Sequence, residues 1–197
     1  MTRIIAGEWG GRKLRVPAQG TRPTSERVRE AVLNALQHRF ESWQDLRVLD
    51  LYAGSGALGF EALSRGAAWA TFVDNSAAAV KAIRENQRTL NSDQLDVIAR
   101  DVAVFTARQN PAPPYDLVFA DPPYNVLPET LHQVLTGVAQ NDFLMPNCLL
   151  VVETVRRYRG ELWPQGVTAE RASDYGDTRI WYGLAREPKS ESHGEQE

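Results

Sequence analysis

From about residue 46 to residue 155, short apolar runs alternate with stretches of helical periodicity, and this alternation limits the folds open to the chain. "RVLDLYA", "ATFVD", "LDVIAR", "YDLVFAD" and "CLLVVETV" read as strands. Between them, "ALGFEALSRG", "SAAAVKAIRENQRTLN", "DVAVFTARQ" and "PETLHQVLTGVAQ" read as helices. Alternation of this kind builds an α/β domain, a mostly parallel sheet with helices on both faces, reached through right-handed crossovers. A last pair of strands, near 166–174 and 178–186, flanks the turn "YGD" and adds an antiparallel hairpin, which brings the sheet to seven strands.

Before this core, "RIIAGEWGGRKLRVP" alternates apolar and polar residues around Gly10-Gly11, which predicts a β-hairpin with a tight turn. "SERVREAVLNALQHRF" then spaces Val28, Ala31, Val32, Ala35 and Leu36 as one helical face, with Thr24 or Ser25 as N-cap and Arg27, Arg29 and Glu30 largely off the stripe. A chain of 197 residues suits a single domain. We expect it over 1–186, with 1–45 as an extension, and a disordered polar tail, "EPKSESHGEQE", over 187–197. One cysteine, Cys148, rules out an internal disulfide and belongs to a buried strand; His38, His132 and His193 read as structural or solvent-facing. With no long apolar run and no leader-like segment, a cytoplasmic protein without membrane contact is expected, and a monomer.

The net charge of -3 conceals a gradient. Residues 1–29 carry Arg3, Arg12, Lys13, Arg15, Arg22, Arg27 and Arg29 against Glu8 and Glu26, on an otherwise acidic body. Such an arm suits a localised anionic partner such as RNA or DNA, or is simply a solvated charged face.

Ligands of open α/β sheets bind at the carboxyl ends of the strands, where the strand order reverses. Four acids fall there: Asp50, Asp74, Asp101 and Asp121. Any one of them could be a helix N-cap, but four on one rim point to a site. "DLYAGSGALG" contains G-x-G-x-x-G as Gly54, Gly56 and Gly59, a loop that presses backbone against a nucleoside. Asp74 follows Gly54 by 20 residues, the place for a carboxylate that binds ribose hydroxyls, in NAD or in another adenosine cofactor. Asp50 beneath the loop would repel a pyrophosphate and attract an ammonium, which disfavours a dehydrogenase. In "FADPPYN", Pro122 and Pro123 remove two amide donors beside Asp121, so the turn offers acceptors, and Tyr124 adds a stacking ring. Acceptors plus an aromatic face suit a planar group bearing NH2, such as a nucleobase.

These segments carry a resemblance. Asp50-x-x-x-Gly54-x-Gly56 with Asp74 is similar to the S-adenosylmethionine (SAM) site of Rossmann-like class I methyltransferases, and "DPPY" to their amino-methylation motif. In order, "RIIAGEWGGRKL", "RPTSERVREAVLNAL", "DLYAGSGALGFEALSRGA" and "DPPY" resemble the RsmD family, bacterial 16S rRNA guanine-N2 methyltransferases, over about residues 3–185. The resemblance implies that Asp50, Gly54 and Gly56 surround the methionine part of SAM, that Asp74 holds the ribose, and that Asp101 with the Val102 backbone addresses adenine. It implies Asp121, Pro122 and Tyr124 as catalytic residues without a metal, and Arg12, Lys13, Arg15, Arg22, Thr24 and Arg27 as contacts to 16S rRNA of the small ribosomal subunit. An adenine-N6 methyltransferase shares "DPPY", and a non-catalytic rRNA-binding assembly factor is the reading from another class; the amino-terminal segments weigh against the first and the acidic rim against the second.

Overall fold

A computed structural model describes residues 2–17 and 26–186. The expected caps Thr24 and Ser25, the RNA contacts Arg22 and Thr24, His193 and the tail 187–197 lie outside these residues. The main sheet has seven strands in the order β5-β4-β3-β6-β7-β9-β8, with β3 Arg47–Leu51, β4 Trp69–Asp74, β5 Leu95–Ala99, β6 Tyr115–Ala120, β7 Leu144–Val155, β8 Val167–Tyr175 and β9 Thr178–Ala185. The first five strands in this order are mutually parallel, and β9 runs antiparallel to both β7 and β8. Strand order therefore reverses between β3 and β6, which puts Asp50 and Asp121 on adjacent strand ends.

Side chains alternate across a strand, and this alternation divides the core into two layers. Val48, Phe72, Phe119 and Val151 share one layer with Val32 and Leu36 of α1 (Glu26–Arg39) and Phe60 and Leu63 of α2 (Ala57–Ser64). That layer also takes Ile83 of α3 (Ala77–Leu90). Leu49, Leu51, Val73, Val118 and Leu150 pack on the other face against Phe105 of α4 (Val102–Thr106) and Leu131, Val134, Leu135 and Val138 of α5 (Pro128–Gln140). Among the described residues no helix is long and apolar enough to cross a membrane.

One expectation is met and two are corrected. The amino-terminal hairpin is present: β1 Thr2–Arg3 pairs antiparallel with β2 Lys13–Leu14, each strand only two residues long, and a turn centred on Gly10-Gly11 closes with Arg12 N donating to the Trp9 carbonyl at 3.0 Å. Residues 4–12 continue the pairing, with Ile4 N donating to the Arg12 carbonyl at 2.9 Å and Gly11 N to the Ile4 carbonyl at 2.8 Å, and the segment also bonds to α2, against which Ile4 and Trp9 are buried. Glu8 N donates to the Ser64 carbonyl at 2.7 Å, Trp9 N to Ser64 Oγ at 2.9 Å, and Ser64 Oγ to the Ala6 carbonyl at 2.7 Å. Arg29, expected off the apolar face of its helix, is only 1% exposed, since a buried acid on α2 receives it. Strand β7 begins at Leu144 rather than Cys148: the pairing with β6 shifts after Tyr115, and Asn147 takes φ 63°, a bulge that breaks the alternation. Cys148 is buried within it, and burial pushes its thiol well above the usual range.

Candidate active site

At the carboxyl ends of β3, β4 and β6 a cleft of about 350 Å³ opens. Of the residues singled out from sequence, the structure brings Asp50, Gly54, Asp74, Asp121, Pro122 and Tyr124 together on its wall. Gly56 stands just behind them as the N-cap of α2. Asp101 and Val102 lie outside the lining: Asp101 caps α4 by accepting from Val104 N at 3.1 Å, and the Val102 side chain is core. Asn75 lines the cleft and its Nδ2 donates to Asp101 Oδ2 at 3.3 Å, so Asp101 is one hydrogen bond removed. Arg12, Lys13, Arg15 and Arg27 are all on the surface. Arg15 Nε also sits 3.4 Å from Glu85 Oε2.

The glycine loop has its shape for identifiable reasons. Gly54 (φ 57°) and Gly56 (φ 76°) take the left-handed conformation needed to turn from β3 into α2. Gly59 is required for packing, because a Cβ there would stand 2.3 Å from the Phe72 ring. That close approach lets Gly59 N donate to Asp50 Oδ2 at 3.0 Å. Asp74 accepts from Gly54 N at Oδ2 (2.9 Å) and from Ser76 N at Oδ1 (2.8 Å), so one carboxylate fixes both the loop and the start of α3. Each carboxylate oxygen has a second lone pair, which leaves capacity for a diol.

Asp50 is 2% exposed, and burial pushes its carboxyl well above the usual range. The Gly59 N–H opposes that rise, while the charges of Asp121 and Asp74 add to it. A ligand bearing positive charge would relieve this crowding, whereas a diphosphate would worsen it. The donor set thus fits SAM, which carries both an ammonium and a sulfonium.

Sequence reasoning missed Tyr52 and the amino-terminal anchors. Tyr52 lines the cleft at φ 58°, a conformation rare for a bulky residue and worth about 1–3 kcal/mol of strain. Burial, and then the charge of Asp101, push its phenol up to about 12. Its place two residues after Asp50 was the available signal. The anchors join residues far apart in sequence. Arg29 donates to Thr2 Oγ1 (2.8 Å) and to the Arg3 carbonyl (2.6 Å), and its Nε lies 3.5 Å from Oε1 of the fully buried Glu61. Glu61 also accepts from Ile5 N at 2.6 Å. Asn86 on α3 pairs with the Arg15 backbone in both directions and donates to the Ser55 carbonyl at 3.0 Å. Thr2, Val16 and Arg29 consequently form one wall of the cleft.

The opposite wall is the turn after β6. Pro122 and Pro123 offer no N–H, and the Pro123 carbonyl closes the turn by accepting from Val126 N at 2.9 Å. Tyr124 is 61% exposed, so its ring is presented to solvent at the cleft mouth rather than packed in the core.

Known proteins resemble this chain in sequence and fold. The family model described as conserved hypothetical protein 95 matches residues 2–183. Ribosomal RNA small subunit methyltransferase D of Haemophilus influenzae is 40% identical over 158 residues, covering 77% of this chain and 78% of that protein. The protein of the same name from Escherichia coli K12 is 39% identical over 155 residues, covering 77% and 74%. The solved structure of yhhF from Escherichia coli matches with a TM-score of 0.83 and 32% identity, covering 93% of this chain and 97% of that one. With a seven-stranded sheet of class I methyltransferase order behind the cleft, the chain belongs to the conserved hypothetical protein 95 family, the RsmD family of class I methyltransferases.

Proposed function

We propose that the protein transfers a methyl group from SAM to the exocyclic N2 amine of a guanine in 16S rRNA of the small ribosomal subunit, acting as a single-domain monomer in the cytoplasm. The observation that carries this reading is the acceptor turn Asp121–Tyr124 on the same cleft as the acidic strand ends. Relatives named as small-subunit rRNA methyltransferases support the substrate.

Asp50, Gly54 and Gly56 frame the methionine part of the donor, Asp74 its ribose, and Asp101 with the Val102 amide its adenine. SAM bound there supplies an electrophilic methyl group on a positively charged sulfur. The guanine leaves its stack and lies against Tyr124. Asp121 and the Pro122 carbonyl accept the two hydrogens of its amine, which directs the nitrogen lone pair into the cleft. The residues act by positioning and by electrostatics. A nucleobase amine is too weak an acid to lose its proton first, so Asp121 takes the proton after the nitrogen has gained positive charge. The exposed bases of the amino-terminal extension, Arg12, Lys13, Arg15 and Arg27 with Arg22 and Thr24, hold the RNA.

The test is transfer of labelled methyl from SAM to small subunits and to naked rRNA from a methylase-deficient strain, followed by nucleoside analysis. Label in N2-methylguanosine is expected. Label in N6-methyladenosine would replace the reading with the adenine one, and absence of SAM binding would replace it with a non-catalytic rRNA binder.

A further inference from the structure

Tyr124 borders a second cavity, of about 800 Å³, on the side away from the acidic cleft. Its other walls include Arg156, Arg157 and Arg159, on the segment after β7, and Arg179 and Asp177 from the β8–β9 hairpin. Three arginines thus fall within four residues. In the structure they are mounted on a fixed frame. Arg156 N donates to the Asp177 carbonyl at 2.7 Å and Tyr158 N to the Val155 carbonyl at 2.9 Å. Tyr158 packs edge-on against Trp181 with ring centroids 6.4 Å apart.

The charges divide into two pairs. Arg179 binds both oxygens of Asp174, at 2.6 and 2.9 Å, and Arg156 approaches the same carboxylate at 3.2 Å. Arg157 and Arg159 are exposed and make no ion pair among the described residues. Two guanidinium groups thus face a broad cavity that an aromatic ring closes on one side.

We propose that Arg157 and Arg159 bind the phosphodiester backbone of RNA beside the nucleotide whose base stacks on Tyr124. This rests on the function proposed above and adds a second RNA-binding surface, across the target base from the amino-terminal arm. Guanidinium forks match phosphate oxygens, and a polymer is the anion that can reach both this cavity and the ring of Tyr124 at once. An isolated anion would need only one of the two.

The experiment compares wild type, R157A/R159A and R157K/R159K in binding a 16S rRNA fragment across a salt series, alongside SAM titration and methyl transfer. The alanine variant no longer neutralises two phosphates of a single strand. Its log K against log salt slope should therefore be shallower by about 1.4, and its affinity about 25-fold weaker at 0.1 M salt. SAM affinity stays unchanged, and the lysine variant returns toward wild type. Unchanged affinity and slope in the alanine variant overturns the proposal, as does a lysine variant equally weak. If naked rRNA binds normally but transfer to assembled subunits falls, the patch contacts a ribosomal protein, and the RNA assignment is wrong. Wild-type protein that binds the fragment but methylates neither it nor assembled small subunits would instead overturn the function above, while the binding series still tests the patch.

Discussion

Two cavities of opposite character meet at Tyr124. On one side, Asp50, Asp74 and Asp121 line a cleft whose nearby cation, Arg29, is engaged with the buried Glu61. On the other, Arg156 and Arg179 share Asp174, while Arg157 and Arg159 make no ion pair among the described residues. The net charge of -3 describes neither region. A small cationic donor and a polyanionic acceptor need opposite fields, and under the proposed function the exposed ring between them would let a base pass from the second field to the first.

The sharpest break in this comparison is at Asp121, where the two fields would act on the same amine. Asp121→Ala should lower transfer by about 10² to 10⁴-fold, the usual span for a lost proton acceptor, while calorimetry shows SAM binding nearly intact. A matching loss of SAM affinity would assign Asp121 to the donor instead. Next in size is Arg29, the one cation lining the acidic cleft among the described residues. Arg29→Met leaves Glu61 buried with only Arg65, 3.8 Å away, as a charged partner, and should destabilise the fold by about 3–5 kcal/mol in denaturant titration. Adding Glu61→Leu should recover part of the loss; no recovery would mean that the bonds from Arg29 to Thr2 and the Arg3 carbonyl, rather than the ion pair, hold the amino terminus.

Tyr124→Ala separates the two cavities by removing the ring they share. Loss of base stacking of about 1–3 kcal/mol should appear as weaker productive RNA binding with SAM affinity unchanged. Equal turnover of rRNA by the variant would show that the ring does not hold the base.

The two sides also differ in how far the sequence revealed them. The acidic cleft was legible because each acid ends an apolar strand, and strand ends of a parallel sheet converge by topology alone. Asp50, Asp74 and Asp121 therefore could be placed from topology. The arginine side could not, since Arg156–Arg159 and Arg179 meet only through the β7–β9 pairing, a non-local event with no local pattern. Arg29 failed for the same reason: periodicity puts it off the apolar stripe, and nothing within its helix announces an acid on α2. The amino-terminal hairpin was legible from its alternation and its Gly-Gly turn, but its bonds to α2 were not, because alternation records which residues are apolar, not which surface buries them.

The smallest expected effect bears on why the cleft is acidic at all. Asp50→Asn keeps an oxygen to accept from Gly59 N and removes the charge. Below the ordinary carboxylate range, folded and unfolded chains both hold the proton, and the variant should match the wild type. As pH rises past that range, the unfolded chain releases its proton while the buried group, held well above it, keeps its own. Wild-type stability therefore falls with pH until the folded group ionises as well, and the asparagine variant escapes this fall. Near neutrality the variant should be more stable by about 1 kcal/mol, roughly 2–4 °C for a chain of this size. It should also bind SAM more weakly, because a charge suited to an ammonium is gone. Paired melting curves and SAM titrations from pH 4 to pH 8 measure both. If stability rises while SAM affinity holds, the acid at the end of β3 burdens the fold without serving the ligand; if both move as expected, the fold tolerates a crowded carboxylate because the cation that relieves it arrives with the donor.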